Sequence, residues 1–163
     1  MTDAEAAPSG SPEAIAAELV QAREEFFAAL DALPAPVRES PTLVGEWGIR
    51  ELIAHLGYWA GHAAESIHAV EQGRADEFEV GDREVEERNA TVARVARAAS
   101  LATVRQREQG SVEALLDRLG RLDPAHLGVQ LADWGTLEAG LREDGPVHYR
   151  EHADQLRALA GTS

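Results

Sequence analysis

Neither cysteine nor lysine occurs anywhere in the 163 residues. Without cysteine the chain can form no disulfide, supply no thiolate nucleophile and build no thiolate zinc site. Without lysine a Schiff-base mechanism and a P-loop lysine are equally impossible. All 15 basic residues are arginine, which reads as a genomic habit rather than a mechanism. Positive charge is also outnumbered, 15 basic residues against 29 acidic ones, for a formal net charge of -14. That balance speaks against a nucleic-acid partner and against anionic membranes, since both need clustered positive charge. No run of 18 or more apolar residues is present, so no membrane span is expected. The opening "MTDAEAAPSG" is acidic and has no apolar centre, unlike a secretory leader. The expected location is the cytoplasm.

What is present is helical periodicity. Residues 1–10 are small and polar and are expected to form a flexible tail, followed by one helical domain over 11–163. Ser11-Pro12 has the form of a helix start, a capping hydroxyl followed by proline in the first turn. Ile15, Leu19, Phe26, Phe27, Leu30 and Leu33 then recur at helical spacing until Pro34 and Pro36 stop the run. A second helix is expected from about Gly48 to Gln72, with Ile49, Leu52, Leu56, Trp59, Ala63, Ile67 and Val70 as its inward stripe and Gly73 as its end. A third stretch covers about Arg83 to Arg97 with Val85, Val92 and Val95 inward. Ser100 restarts it, and Leu101 to Leu122 continue the pattern to the Asp123-Pro124 break. Gly110 marks a weak point in that run, a place for a kink. The last helix is expected between about Leu137 and Ala160, interrupted or begun at Gly145-Pro146. No run alternates apolar and polar residues between turn signals, so no sheet is predicted. Long amphipathic helices with short connections point to an all-α fold, a four-helix bundle.

Six histidines remain to be placed. His148 and His152 are four positions apart, which sets their Cβ atoms about 5–6 Å apart on one helix face. They share that face with Leu156 and Leu159, so they look inward, and Gln155 lies on it too. On the second helix His55 falls at the edge of the apolar stripe, next to Leu56. That edge is where a cleft between helices opens, and bundles build metal sites from facing helices at such places. The plain alternative is a set of buried histidines that each satisfy a hydrogen bond. His62, His68 and His126 are read that way, with His68 turned to solvent and His126 as a loop or capping residue.

Two stretches taken together extend this reading. "GEWGIRELIAHLGYWAGH", residues 45–62, resembles the second-helix signature of the DinB-like superfamily. "HYREHADQL", residues 148–156, resembles that superfamily's last-helix motif, and the order and separation of the two agree. The resemblance runs from about residue 12 to 160. It implies an up-down-down-up four-helix bundle, often dimeric, with a metal held by three histidines that map onto His55, His148 and His152. It also implies zinc or nickel as the ion. The superfamily contains thiol-dependent S-transferases and isomerases, such as mycothiol-dependent maleylpyruvate isomerase, and hydrolase-like resistance proteins. Ala153 and Asp154 depart from its pattern, which often has a basic residue and glycine there.

Three neutral imidazoles around a divalent ion leave at least one coordination position open, the arrangement of catalytic rather than structural zinc sites. Such an ion acidifies water or a thiol, or polarises a carbonyl. Gln155 is the residue on the ligand face best placed to support a histidine. Glu151 points about 100° away from His152 and reads most simply as a solvated charge, and Tyr149 as packing. The expectation is therefore a metal-dependent hydrolase or thiol-dependent S-transferase acting on a small molecule, with a low-molecular-weight thiol as a conceivable co-substrate. The alternative is a non-catalytic metal-binding or stress-associated bundle.

Overall fold

A computed structural model describes residues 10–79, 81–132 and 135–161, without the side chain of Asp82. The expected tail falls outside these residues except for Gly10, and so does Trp134. The described elements are α1 (Pro12–Asp31), α2 (Ala35–Arg38), α3 (Ile49–Glu71), α4 (Asp82–Arg97), α5 (Leu101–Arg121), α6 (Leu137–Arg142) and α7 (His148–Ala160). Between α6 and α7 the chain makes one wide, π-type turn, Glu143–Val147. Among the described residues there is no strand, only isolated bridges joining Val44 to Trp47 and Gln130 to Thr136. No described helix is long and apolar enough to cross a membrane.

Local chemistry sets most of the boundaries. Ser11 caps α1 by accepting from the Ala14 amide at 3.1 Å. Ser100 caps α5 by accepting from the Thr103 amide at 3.1 Å. Each hydroxyl satisfies one of the amides that a helix start leaves free. At the end of α3 the chain turns through Gly73, whose φ of 70° suits a residue without Cβ.

The apolar stripes meet in one continuous core. α3 packs against both α4 and α5, and α1 against α7 and α5. Leu19, Phe26, Leu30, Leu52, Leu56, Ile67, Leu115, Leu119 and Leu156 are buried there. Removing one such side chain from water stabilises the fold by about 1.5–3 kcal/mol. α3 and α5 approach closely where Gly57 faces Glu108. A Cβ at Gly57 would come within 2.8 Å of the Glu108 Cα.

Two expectations are corrected. α4 does not turn Val85, Val92 and Val95 inward. Its buried positions are Ala93 and Ala96, whereas Val95 is 50% exposed and Val85 and Val92 only half-buried. α4 packs against α3 on one side, and short alanine side chains allow that close approach. Gly110 brings no kink: α5 runs through it, with open space beside its backbone. An exposed helical glycine costs about 1 kcal/mol relative to alanine, too little to break a 21-residue helix.

Candidate metal centre

The turn before α7 is the irregular part of the fold, and it adjoins the histidines. Pro146 has no amide to donate and its ring crowds the preceding turn. The backbone adapts at Gly145, whose φ of -106° and ψ of -108° are not helical. Wide turns of this kind are frequent at functional sites. This one brings Glu143 and Asp144 alongside the start of α7, where His148 begins the helix.

His55 from α3 and His148 and His152 from α7 converge. Each offers a ring nitrogen, and the three nitrogens lie within 4.8 Å of one another. The Nε2 atoms of His55 and His148 are 2.8 Å apart. The rings stand edge to face, with His55 centroids 4.6 Å from His148 and 5.5 Å from His152. Trp47, half-buried at the entry to α3, leans on the His55 ring at 4.5 Å and limits its rotation.

Burial dominates the electrostatics. Desolvation, reinforced by nearby His152, holds His55 down at about 3, and Asn89 opposes this only in part. Desolvation with the neighbouring His55 and His152 holds His148 at about 2. His152 is half-buried and is lowered for the same first reason, with Gln155 and Glu151 opposing. All three imidazoles are therefore neutral at pH 7, the state in which a ring nitrogen has a lone pair to give. Gln155 Oε1 is 2.7 Å from His152 Nδ1. An amide oxygen only accepts, so Nδ1 carries the proton and Nε2 is left as the ligand atom. His55 Nδ1 is buried with no hydrogen-bond partner, although a buried polar atom without one costs about 1–3 kcal/mol. A low-polarity nest of neutral imidazoles, with ring nitrogens within 4.8 Å of one another, fits a divalent ion bound by His55, His148 and His152.

The neighbouring side chains take distinct places. His62 is buried, with Nδ1 3.1 Å from Asp144 Oδ2, and packs between Trp59 and Phe78 at 4.9 and 4.8 Å. Burial raises the Asp144 carboxyl, and His62 partly reverses this. His68 is exposed, as expected. Trp59 is buried as expected, and its Nε1 donates to Asn89 Oδ1 at 2.9 Å. A pocket of about 190 Å³ opens over the cluster, lined by His55, Trp59, Val85, Asn89, Glu143, Asp144, His148 and Glu151. Glu151 is exposed, as expected of a solvated charge, and it also lines that pocket.

A second polar cluster escaped the reading of the sequence. Glu108 is 1% exposed on α5 and accepts from Arg23 Nε and Nη2, both at 2.7 Å. The Tyr149 hydroxyl donates to Glu108 Oε1 at 2.6 Å. Burial and the adjacent carboxylate push the Tyr149 phenol well above its ordinary value. The available signal was positional: Glu108 falls on the inward series Val104, Val112, Leu115 and Leu119, where an acid needs a partner.

Comparison with known proteins adds to this geometry. The family model described as the mycothiol maleylpyruvate isomerase N-terminal domain matches residues 19–152, a span that includes all three clustered histidines. A crystal structure of an uncharacterised protein from Escherichia coli UTI89 is similar over 93% of each chain, with a TM-score of 0.73 and 12% sequence identity. At that identity the likeness speaks for the fold alone. No curated protein matches.

Proposed function

The chain belongs to the mycothiol maleylpyruvate isomerase N-terminal domain family, within the DinB-like superfamily, and on that premise we propose that it is a divalent-metal-dependent enzyme, a thiol-dependent S-transferase or a hydrolase. The observation that carries the proposal is the convergence of three neutral imidazoles beside an open pocket. Among the described residues, no fourth histidine or carboxylate joins His55, His148 and His152 in the cluster. His55, His148 and His152 would hold the ion, with zinc or nickel as the expected metal, and it would supply Lewis acidity toward a water or thiol. The family's name favours a thiol as the nucleophile.

The chain's own groups supply the rest. Gln155 fixes the His152 tautomer, and Trp47 limits rotation of the His55 ring. Trp59 and Val85 give the pocket an apolar wall, while Asn89, oriented by the Trp59 N–H, presents its amide to it. Trp59 Nε1 donates to Asn89 Oδ1, which fixes the orientation of the Asn89 amide beside His55.

The test is metal analysis of protein purified without a polyhistidine tag, followed by a panel of thiols and electrophiles with the metal-loaded protein. Metal binding with thiol- or water-dependent turnover supports the proposal. Metal binding without turnover across a broad panel favours the non-catalytic alternative. Absence of metal binding rejects both.

A further inference from the structure

The pocket above the histidines has a one-signed rim. Glu143, Asp144 and Glu151 line it, and no arginine does. The chain has no lysine, and all 15 of its arginines fall within the described residues. The side chains of the remaining residues therefore add no lysine or arginine. Three arginines adjoin lining residues in sequence, and none of them lines the pocket; Arg150, beside Glu151, is half-buried on α7. Arg142, beside Glu143, bonds Glu138 and Glu18 at 3.2 and 2.5 Å. Arg88, beside Asn89, donates to the Tyr58 hydroxyl at 2.9 Å. Among the described residues, Asp144 alone of the three carboxylates has a cationic partner within reach, namely His62.

We propose that this pocket takes a cationic small molecule, with an ammonium or amidinium group held by the Glu143–Asp144–Glu151 rim and an apolar portion against Trp59 and Val85. The proposal deepens the metal-enzyme reading and rests on it: the ion marks the reacting end, the carboxylates the charged end. The charge count decides between substrate signs. A bound divalent ion contributes two positive charges, whereas the rim contributes three negative ones when ionised. A substrate carboxylate would find a favourable metal but no basic side chain, and three like charges around it. An ammonium group meets the reverse. A like charge placed in such a pocket is an effective means of rejection. The crowding is already felt within the protein: burial, then Glu151 and Asp144, raise the Glu143 carboxyl. An incoming cation relieves that repulsion.

The experiment compares three probes of similar size, benzylammonium, benzyl alcohol and phenylacetate, by isothermal titration calorimetry. It uses the full chain, metal-free and zinc-loaded, with zinc content measured on the same samples. Benzylammonium is expected to bind at least about tenfold more tightly than either other probe, a difference of about 1.4 kcal/mol. The preference should weaken as salt is added, because the rim is partly exposed. The double variant Glu143→Gln/Glu151→Gln should lose it while keeping its zinc, since both side chains are at the surface and neither is a ligand. Persistence of the preference in that variant would mean that the amine binds the metal instead, and would overturn the proposal. Equal or tighter binding of phenylacetate, or no binding of benzylammonium, would also overturn it. Loss of zinc loading with the charge preference intact would instead reject the metal reading and leave the cationic site standing.

Discussion

His148 and Tyr149 are adjacent on α7, yet each joins a different buried polar cluster. Tyr149 points to Glu108, where two guanidinium bonds and one phenol bond converge on a single carboxylate. His148 points to His55, where two Nε2 atoms face one another and the other nitrogen of His55 has no partner. The first cluster is complete within the chain and needs nothing more. The second is left incomplete: three neutral imidazoles bring ring nitrogens to within 4.8 Å of one another, a donor set that suits a divalent cation. Buried polar groups that satisfy one another fix a packing arrangement. Neutral imidazoles gathered around one point form a donor set for a metal ion. The Glu108 network anchors α7 through Tyr149 against α5 and α1, and that anchoring holds the face carrying His148 and His152 toward α3.

The comparison can be broken from either side. Trp59→Ala should have the largest effect on folding, about 3–5 kcal/mol, because it empties a large volume beside the cleft. Denaturant titration checks this, and a cost near zero would mean that the inward face of α3 is wrongly drawn. Glu108→Ala should destabilise by on the order of 3 kcal/mol, by leaving the Tyr149 hydroxyl and a part-buried Arg23 without their acceptor. Zinc affinity measured after correcting for the folded fraction should fall with it if Tyr149 anchors α7. Stability lost at unchanged affinity would uncouple the two clusters.

Gln155→Ala acts on the metal side alone. Without the acceptor at Nδ1 the His152 tautomer is free, and metal affinity should drop about 10–100-fold with little change in stability. A competitive chelator titration reads this directly. The smallest effect per step is the response to pH. His55 and His148 are held at about 3 and about 2 in the fold, against about 6.5 in the unfolded chain. Between those limits the unfolded state binds more protons, so their contribution is complete above about pH 6.5 and declines as pH falls toward 3. Asp144 and Glu143, whose carboxyls are raised, work in the opposite sense and soften the slope. Metal-free protein should therefore unfold at lower denaturant at pH 5 than at pH 7, and a flat profile would contradict the burial of neutral imidazoles.

Legibility in the sequence followed the range of the interaction. Ser11, Ser100 and Gly73 mark helix ends through bonds spanning a few residues, and they lie where local rules put them. His148, His152 and Gln155 lie within one helix, so their shared face could be read from spacing. His55 needed the resemblance to join them across 93 residues. The Arg23–Glu108 pair is separated by 85 residues and has no motif, and only the oddity of an acid among inward leucines and valines could have exposed it. On α4 side-chain size is a poor guide to depth. The close approach to α3 selects Ala93 and Ala96 and leaves Val95 outside. The pocket's charge was not legible at all, because it depends on a wide turn at Gly145 and Pro146 that presents Glu143 and Asp144 beside Glu151.

The most direct test of the central claim, that the incomplete cluster is a metal site, is zinc stoichiometry. Untagged wild-type protein and the variants His55→Ala, His148→Ala and His152→Ala would be reconstituted with zinc, freed of excess metal and analysed for bound ion and helical circular dichroism together. The account predicts about one tightly held ion per chain in the wild type. It predicts loss of that ion in each variant with the helical signal retained, because the leucine and valine stripes that hold the bundle are untouched. Three variants that keep a full complement of zinc, or a wild-type protein that binds none, would contradict it.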